Sequence, residues 1–172
     1  MNIFLTATSP ILAAQALDDR RVNNQVRETA QLLSTALRSF GIDDWRLLKS
    51  THVSHPVTKW VMLTRGNFDW TLQHFDALGR EKSVRYPDNP PHKNWAELMD
   101  VFLDYLPQVP EGKLLPFVNC AARADMDLDF KHISDPVQAY RLYLSARWQR
   151  DSIPPAWTNR GAPFWWRQSH AA

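Results

Sequence analysis

The stretch DDRRVNNQVRETAQLLSTALRSFG, residues 18–41, decides the fold class. Val22, Val26, Ala30, Leu33, Leu37 and Phe40 recur at intervals of three and four. At about 100° per residue they fall on one helical face. Arg21, Asn24, Glu28 and Gln31 form a second stripe within an arc of roughly 80°. The spacing therefore predicts a helix with one apolar stripe for a core and one hydrogen-bonding stripe beside it. Asp18 and Asp19 supply its start and Gly41 its stop.

Working outward, the same kind of pattern fills most of the chain. Asn2 to Thr6 reads as a short extended start. Ser9 followed by Pro10 is an N-cap with a first-turn proline, so a helix begins there. Residues 41–56 form a connection that carries Trp45 and the segment THVSHP, in which Pro56 biases His55 away from helix. One long helix is predicted from Val57 to Arg85, with Val57, Trp60, Val61, Phe68, Leu72, Phe75 and Leu78 facing the core and Asn67, His74, Glu81 and Arg85 on a neighbouring face. Tyr86 to Lys93, YPDNPPHK, is a proline-rich loop. A further helix runs from Trp95 to about Leu106, and Pro107 to Pro116 is turn-rich. Asp135-Pro136 starts a helix over Val137 to Arg150, with Tyr140, Tyr143, Leu144 and Trp148 on one side. From Ile153 onward the chain looks extended and aromatic. The expected architecture is all-α: residues 1–172 as a single compact domain of five to six helices, with proline-rich loops and an extended aromatic arm over 153–172 packing on it.

Composition narrows the function classes. At 172 residues, with 44% apolar and 22% charged residues, the chain has the makings of an ordinary globular core. Aromatics reach 12%, with eight tryptophans, more than a core of this size requires, so some rings are expected to face a ligand or line a groove. A net charge of +2 argues against binding polyanions by bulk charge, although a local basic face remains compatible with it. The lone Cys120 excludes an internal disulfide and a cysteine-type zinc cluster, and it sits in an apolar stretch as filler. No signal-like leader and no apolar run long enough for a bilayer are present, so a cytoplasmic location is expected. No Gly-rich phosphate loop, GxSxG elbow, HExxH or deaminase-type HxE with CxxC occurs, and neither a metal nor a cofactor is expected.

Four groups of residues could carry chemistry. Arg21, Asn24, Arg27, Glu28 and Gln31 place a carboxylate among guanidinium groups. That arrangement suits Glu28 as a general base or as a stabiliser of a developing sugar cation, with the arginines anchoring phosphate; it equally suits a solvated helix face with charges paired along it. His52, His55 and Lys59 lie on and after the THVSHP loop. With no third ligand at metal spacing they fit phosphate contact or loop pinning better than metal binding. Asn67, His74, Glu81 and Arg85 read mainly as structure, Glu81 and Arg85 being an i, i+4 ion pair, with His74 a further candidate contact to substrate. In the tail, Arg160 and Arg167 interleave with Trp157, Trp165 and Trp166, a composition that serves either stacking on unpaired bases or packing of the arm on the domain.

Arg27-Glu28-Thr29 on an early helix, followed by His55-Pro56, then Glu81, Arg85 and Tyr86, and finally Pro163-Phe164-Trp165-Trp166, resembles the small pyrimidine-dimer DNA glycosylases of phages and bacteria. The chain is also similar to phage-encoded proteins that begin MNIF and share the segments ETAQLL and DPVQAYR. The resemblance covers roughly the first half of the chain plus the tail, through short motifs. It implies an all-helical fold and a glycosylase–lyase that uses the N-terminal α-amine against the sugar C1′, with an essential glutamate. Carried over by position, Met1 supplies the amine, Glu28 the carboxylate, and Arg27 and Arg21 hold phosphate. An α-amine has a pKa near 8, so a useful fraction is neutral and nucleophilic at cellular pH. The partner implied is duplex DNA or a nucleotide, not a membrane. The alternatives are an enzyme acting on a free nucleotide or modified base on the same scaffold, and a non-catalytic phage-type sequestering protein.

Overall fold

The computed structural model describes residues 2–89, 91 and 94–168, with the side chains of 167 and 168 left out. The helix that decides the fold is present as α2, Asp19–Ser39, after a short α1, Pro10–Gln15. Ser9 caps α1, its Oγ accepting from the Leu12 amide at 3.4 Å. Gly41, at φ +85°, ends α2 in the left-handed region that glycine reaches without a Cβ penalty. Val22, Val26, Ala30, Leu33 and Leu37 are all buried, and Phe40 packs partly buried against the same core.

The long helix expected from Val57 to Arg85 is instead two: α3, Pro56–Leu63, and α4, Arg65–Arg85. The break is at Thr64, whose backbone is extended at φ −146°, ψ 156°, and whose Oγ1 accepts from the Asn67 amide to cap α4. Its cause is tertiary. The segment around residues 107–115 crosses the junction, with Arg65 N donating to Pro110 O at 2.6 Å and Gly66 N to Gly112 O at 3.0 Å. A Cβ at Gly66 would overlap the backbone of Lys113 and Leu114. The apolar face survives the break: Val57, Trp60, Val61, Phe68, Leu72, Phe75 and Leu78 are all buried.

Helix α5, Trp95–Tyr105, runs into a 3-10 turn at Leu106–Gln108. A two-residue antiparallel pair, β1 Ala122–Arg123 and β2 Leu128–Asp129, closes through Asp127 at φ +51°. The sequence reading did not anticipate this pair, since two-residue strands leave no periodicity. Helix α6, Pro136–Arg150, starts at Asp135, whose side chain accepts from the Val137 amide at 2.9 Å. It buries Tyr140, Tyr143, Leu144 and Trp148. The arm from Ile153 is not wholly extended, for Phe164–Gln168 forms a short α7. The chain is thus mostly helical, with α2 and α4 packed at its centre and α1, α3 and α5 against them.

Two ionic clusters tie the arm to this centre. Arg160 makes a bidentate pair with Glu81, at 2.9 Å for Nη2 to Oε2 and 3.0 Å for Nε to Oε1. Asp19 accepts from the Thr158 hydroxyl at 2.7 Å. Between them lies Arg85, with a fully enclosed side chain bridging Glu81 and Asp19. Trp148 anchors three further indoles: Trp157 and Trp166 meet it edge-on and Trp165 stacks on it at 5.4 Å between centroids.

Candidate functional site

The hydrogen-bonding stripe of α2 divides once its neighbours are in place. Arg21 is buried, donating to Asp18 at 2.9 Å and to Asp151 at 2.6 Å. The carboxylates of Asp18 and Asp151 close it off from solvent, and it lies against the Trp148 ring. Arg21 therefore joins α2 to the end of α6 instead of reaching phosphate, which corrects the expectation for that residue. Asn24 and Arg27 are exposed, and Glu28 and Gln31 half-buried. Together with Asn23, Val26 and Lys82 these four line an open trough of about 480 Å³.

Glu28 sits where the start of the chain meets α2. Its Oε2 accepts from the backbone N of Asn2 at 3.3 Å and from Gln25 Nε2 at 2.9 Å. Gln25 is almost wholly buried, and its Oε1 has no hydrogen-bond partner among the described residues. Asn2 is itself held from two sides. Its Oδ1 accepts from the Tyr140 hydroxyl at 2.7 Å, and its Nδ2 donates to Cys120 O at 3.2 Å. Burial raises the Tyr140 phenol well above its ordinary value, so it stays a donor to Asn2. Burial also raises the Cys120 thiol, against a smaller opposing pull from Lys131, which keeps it a poor nucleophile. Met1, assigned the amine in the sequence reading, lies outside the described residues.

The histidines have local duties. His52 is exposed with φ +51°, its Nδ1 2.6 Å from Thr51 Oγ1. His55 caps α3, its Nδ1 accepting from the Val57 amide at 3.2 Å. Burial lowers its pKa below the ordinary value, with the neighbouring His52 charge adding to this. Lys59 is exposed on α3. Ile3 and Val57 line the same small apolar cavity, so the start of α3 runs beside the first residues of the chain.

His74 is fully buried, with Nδ1 3.0 Å from Pro10 O and Nε2 unpartnered among the described residues. It stacks on Trp70 at 5.2 Å. It cannot meet a substrate there, which corrects the expectation. Burial pushes its pKa down to about 4, the Pro10 carbonyl opposing this only in part. The unfolded chain takes up the proton near pH 6.5 while the folded chain resists until about pH 4. Stability is therefore full above pH 6.5 and falls as pH drops toward 4, by about 3 kcal/mol for this group. Urea unfolding at pH 7, 5.5 and 4.5 is expected to show this loss, and His74→Phe to flatten it. An equal slope in the variant would assign the loss elsewhere.

Trp165 and Trp166, for which the sequence left both stacking on bases and packing of the arm open, are half-buried against Trp148. Their packing builds the arm's anchor. Trp165 also lines a cavity of about 350 Å³ with Leu12, Arg141 and Phe164.

Residues missed in the sequence reading complete the trough. Lys82 reaches it from α4, while Gln25 supports Glu28 from below. Lys82 looked like one more exposed lysine, since no periodicity in one helix reveals which face of another it will oppose. For Gln25 a signal existed: an amide three residues before Glu28 on the same helix lies within reach of it.

Among the described residues no group of three or more His, Cys, Asp or Glu side chains is placed to hold a metal ion, and no described helix is long and apolar enough to cross a membrane. No protein-family model, no curated protein and no solved structure matches the chain.

Proposed function

We propose that the protein is a glycosylase–lyase that acts on the N-glycosidic bond of damaged or modified pyrimidines in DNA, through the α-amine of Met1 and the carboxylate of Glu28. The observation that carries this reading is the hydrogen bond from the backbone N of Asn2 to Glu28 Oε2. It joins the second residue of the chain to the one carboxylate of the α2 stripe. The trough beside Glu28 is lined by Arg27 and Lys82, and neither forms an ion pair with another described residue, which supports a role for both in holding an anionic group.

The chemistry follows from those groups. The neutral amine attacks C1′, forming a C–N bond as the glycosidic bond breaks and its electron pair leaves with the base, which takes up a proton. Glu28 stabilises the positive charge that develops on the sugar. Ring opening then gives a protonated imine, with the ring oxygen receiving the proton. Loss of the acidic C2′ proton to a base expels the 3′ phosphate by β-elimination. Water releases the amine. Arg27 and Lys82 hold a flanking phosphate in the meantime.

Borohydride reduction of the protein mixed with a duplex containing an abasic site tests this. A covalent adduct is expected, and peptide mapping is expected to place it on Met1. Absence of an adduct, or an adduct confined to lysine side chains, overturns the reading.

A further inference from the structure

A second hollow opens beside the trough, on the flank of α2 turned toward α4 and α5. It measures about 250 Å³ and is lined by Val26, Ala30, Leu48, Phe75, Trp95 and Leu98, with Arg27 at its mouth. Val26 and Arg27 line both spaces, so the apolar hollow and the polar trough adjoin at these two residues. Val26, Ala30, Phe75 and Leu98 are each at most 3% exposed. These four walls belong to the core, while Leu48 and Trp95 are half-buried and Arg27 is exposed.

One wall of the hollow is fixed by contact with α4. The Trp95 indole lies directly over Gly79 of α4, where an added Cβ would overlap the ring. Its Nε1 donates to Phe75 O at 3.5 Å. A glycine at this point lets the ring settle against the α4 backbone, in the space a side chain would have taken, and so sets where the indole wall of the hollow stands. Protein interiors otherwise pack to crystal density, so an aromatic-walled space that adjoins a trough with two cations, neither ion-paired to a described residue, suits a ligand with a flat apolar part and an anionic part.

We propose that hollow and trough together bind one nucleotide unit, its heteroaromatic base against Trp95 and its phosphate on Arg27 and Lys82. The sugar then crosses the Val26–Arg27 boundary, with Asn23, Asn24 and Gln31 offering hydrogen bonds along the trough and Glu28 on the same side. This deepens the glycosidic reading, on which its biological meaning rests, by naming what the enzyme recognises: a single base, sugar and phosphate. The unit comes either free or as part of a strand, because both present the same groups.

Isothermal titration calorimetry separates these cases. The probes are the four 2′-deoxynucleoside 5′-monophosphates, the matching nucleosides, inorganic phosphate and a short single-stranded oligodeoxynucleotide. The monophosphates or the strand are expected to bind, and nucleosides or phosphate alone to bind about tenfold more weakly or not at all. The double variant Arg27→Gln, Lys82→Gln is expected to weaken phosphate-bearing probes about tenfold and leave nucleosides unchanged. Trp95→Leu is expected to weaken every base-bearing probe about tenfold. Should Trp95→Leu fail to fold, Ala30→Leu, which fills the hollow and keeps the indole, is expected to give the same loss with a native circular dichroism spectrum.

Binding of monophosphates with this dependence assigns the site to free nucleotides. Binding of the strand alone with the same dependence assigns it to polymer. No binding by either, or binding indifferent to Ala30→Leu and to the two cation changes, overturns the proposal. A borohydride adduct without such binding leaves the amine chemistry standing and removes the hollow; binding without an adduct does the reverse.

Discussion

Arg85→Ala is expected to cost about 3–5 kcal/mol of stability and to lower the thermal midpoint by on the order of 10 °C. The side chain is fully enclosed. It donates to Glu81 Oε1 at 2.8 Å, to Asp19 Oδ1 at 2.6 Å, and to the carbonyls of Leu17 and Gln15 at 3.1 and 3.2 Å. Truncation leaves those carbonyls without that donor and removes the cation between two carboxylates, and a buried charge without its partner is far more costly than the pair was valuable. Glu81 keeps Arg160, so the damage centres on Asp19 and the end of α1. Arg85→Lys keeps the charge without the planar fork that reaches four acceptors, so it is expected to recover only part of the loss. The contrast is Arg80→Ala. That arginine pairs with Asp76 one turn away but is 74% exposed, and its removal is expected to leave stability almost unchanged. Urea unfolding of the three variants measures this, with unchanged slope showing that the midpoint shift is one of stability. Equal effects at positions 80 and 85 would refute the assignment.

Glu28→Gln is expected to slow formation of the borohydride-trapped adduct by about 10²- to 10⁴-fold. The amide keeps an oxygen to accept from Asn2 N and has the same shape, so folding should be undisturbed. It also lacks the negative charge that would offset a sugar cation. Single-turnover trapping on an abasic duplex reads the rate, and the melting temperature and duplex affinity read whether anything else changed. A slowed rate with both of the others unaltered identifies the charge as the cause. A variant as fast as the parent would give the carboxylate no share in the reaction and leave its bond to Asn2 purely structural.

Sequence signals were enough to locate the start of α1 and both ends of α2 and α6 nearly to the residue, because each begins at a Ser-Pro or Asp-Pro step or at an acidic pair, and the last two carry an apolar face. It was not enough for the break at Thr64. Val57 to Arg85 has no proline after Pro56, and its apolar spacing continues through the junction. What interrupts it is backbone from residues 110–112, bonded to Arg65 and Gly66, which no local window contains. The site shows the same division. Asn24, Arg27, Glu28 and Gln31 share a face by helix geometry alone, and they do border one trough. Arg21 lies on that stripe too, yet a distant Asp151 draws it into the interior. Whether a polar residue faces ligand or fold depends on which charge arrives from elsewhere in the chain, and spacing along one helix is blind to that. Trp165 and Trp166 illustrate it again, since only the location of Trp148 determines where the two rings go.

The fastening of the arm bears on the order in which the chain can mature during synthesis. Asp19 emerges early from the ribosome, whereas Thr158, which donates to it, follows 139 residues later, and Arg160 trails Glu81 by 79. Until those last donors appear, the acidic groups around Arg85 have incomplete company and the indole platform on α6 has nothing laid over it. Contacts over such separations close slowly, and these can form only after the arm has been made.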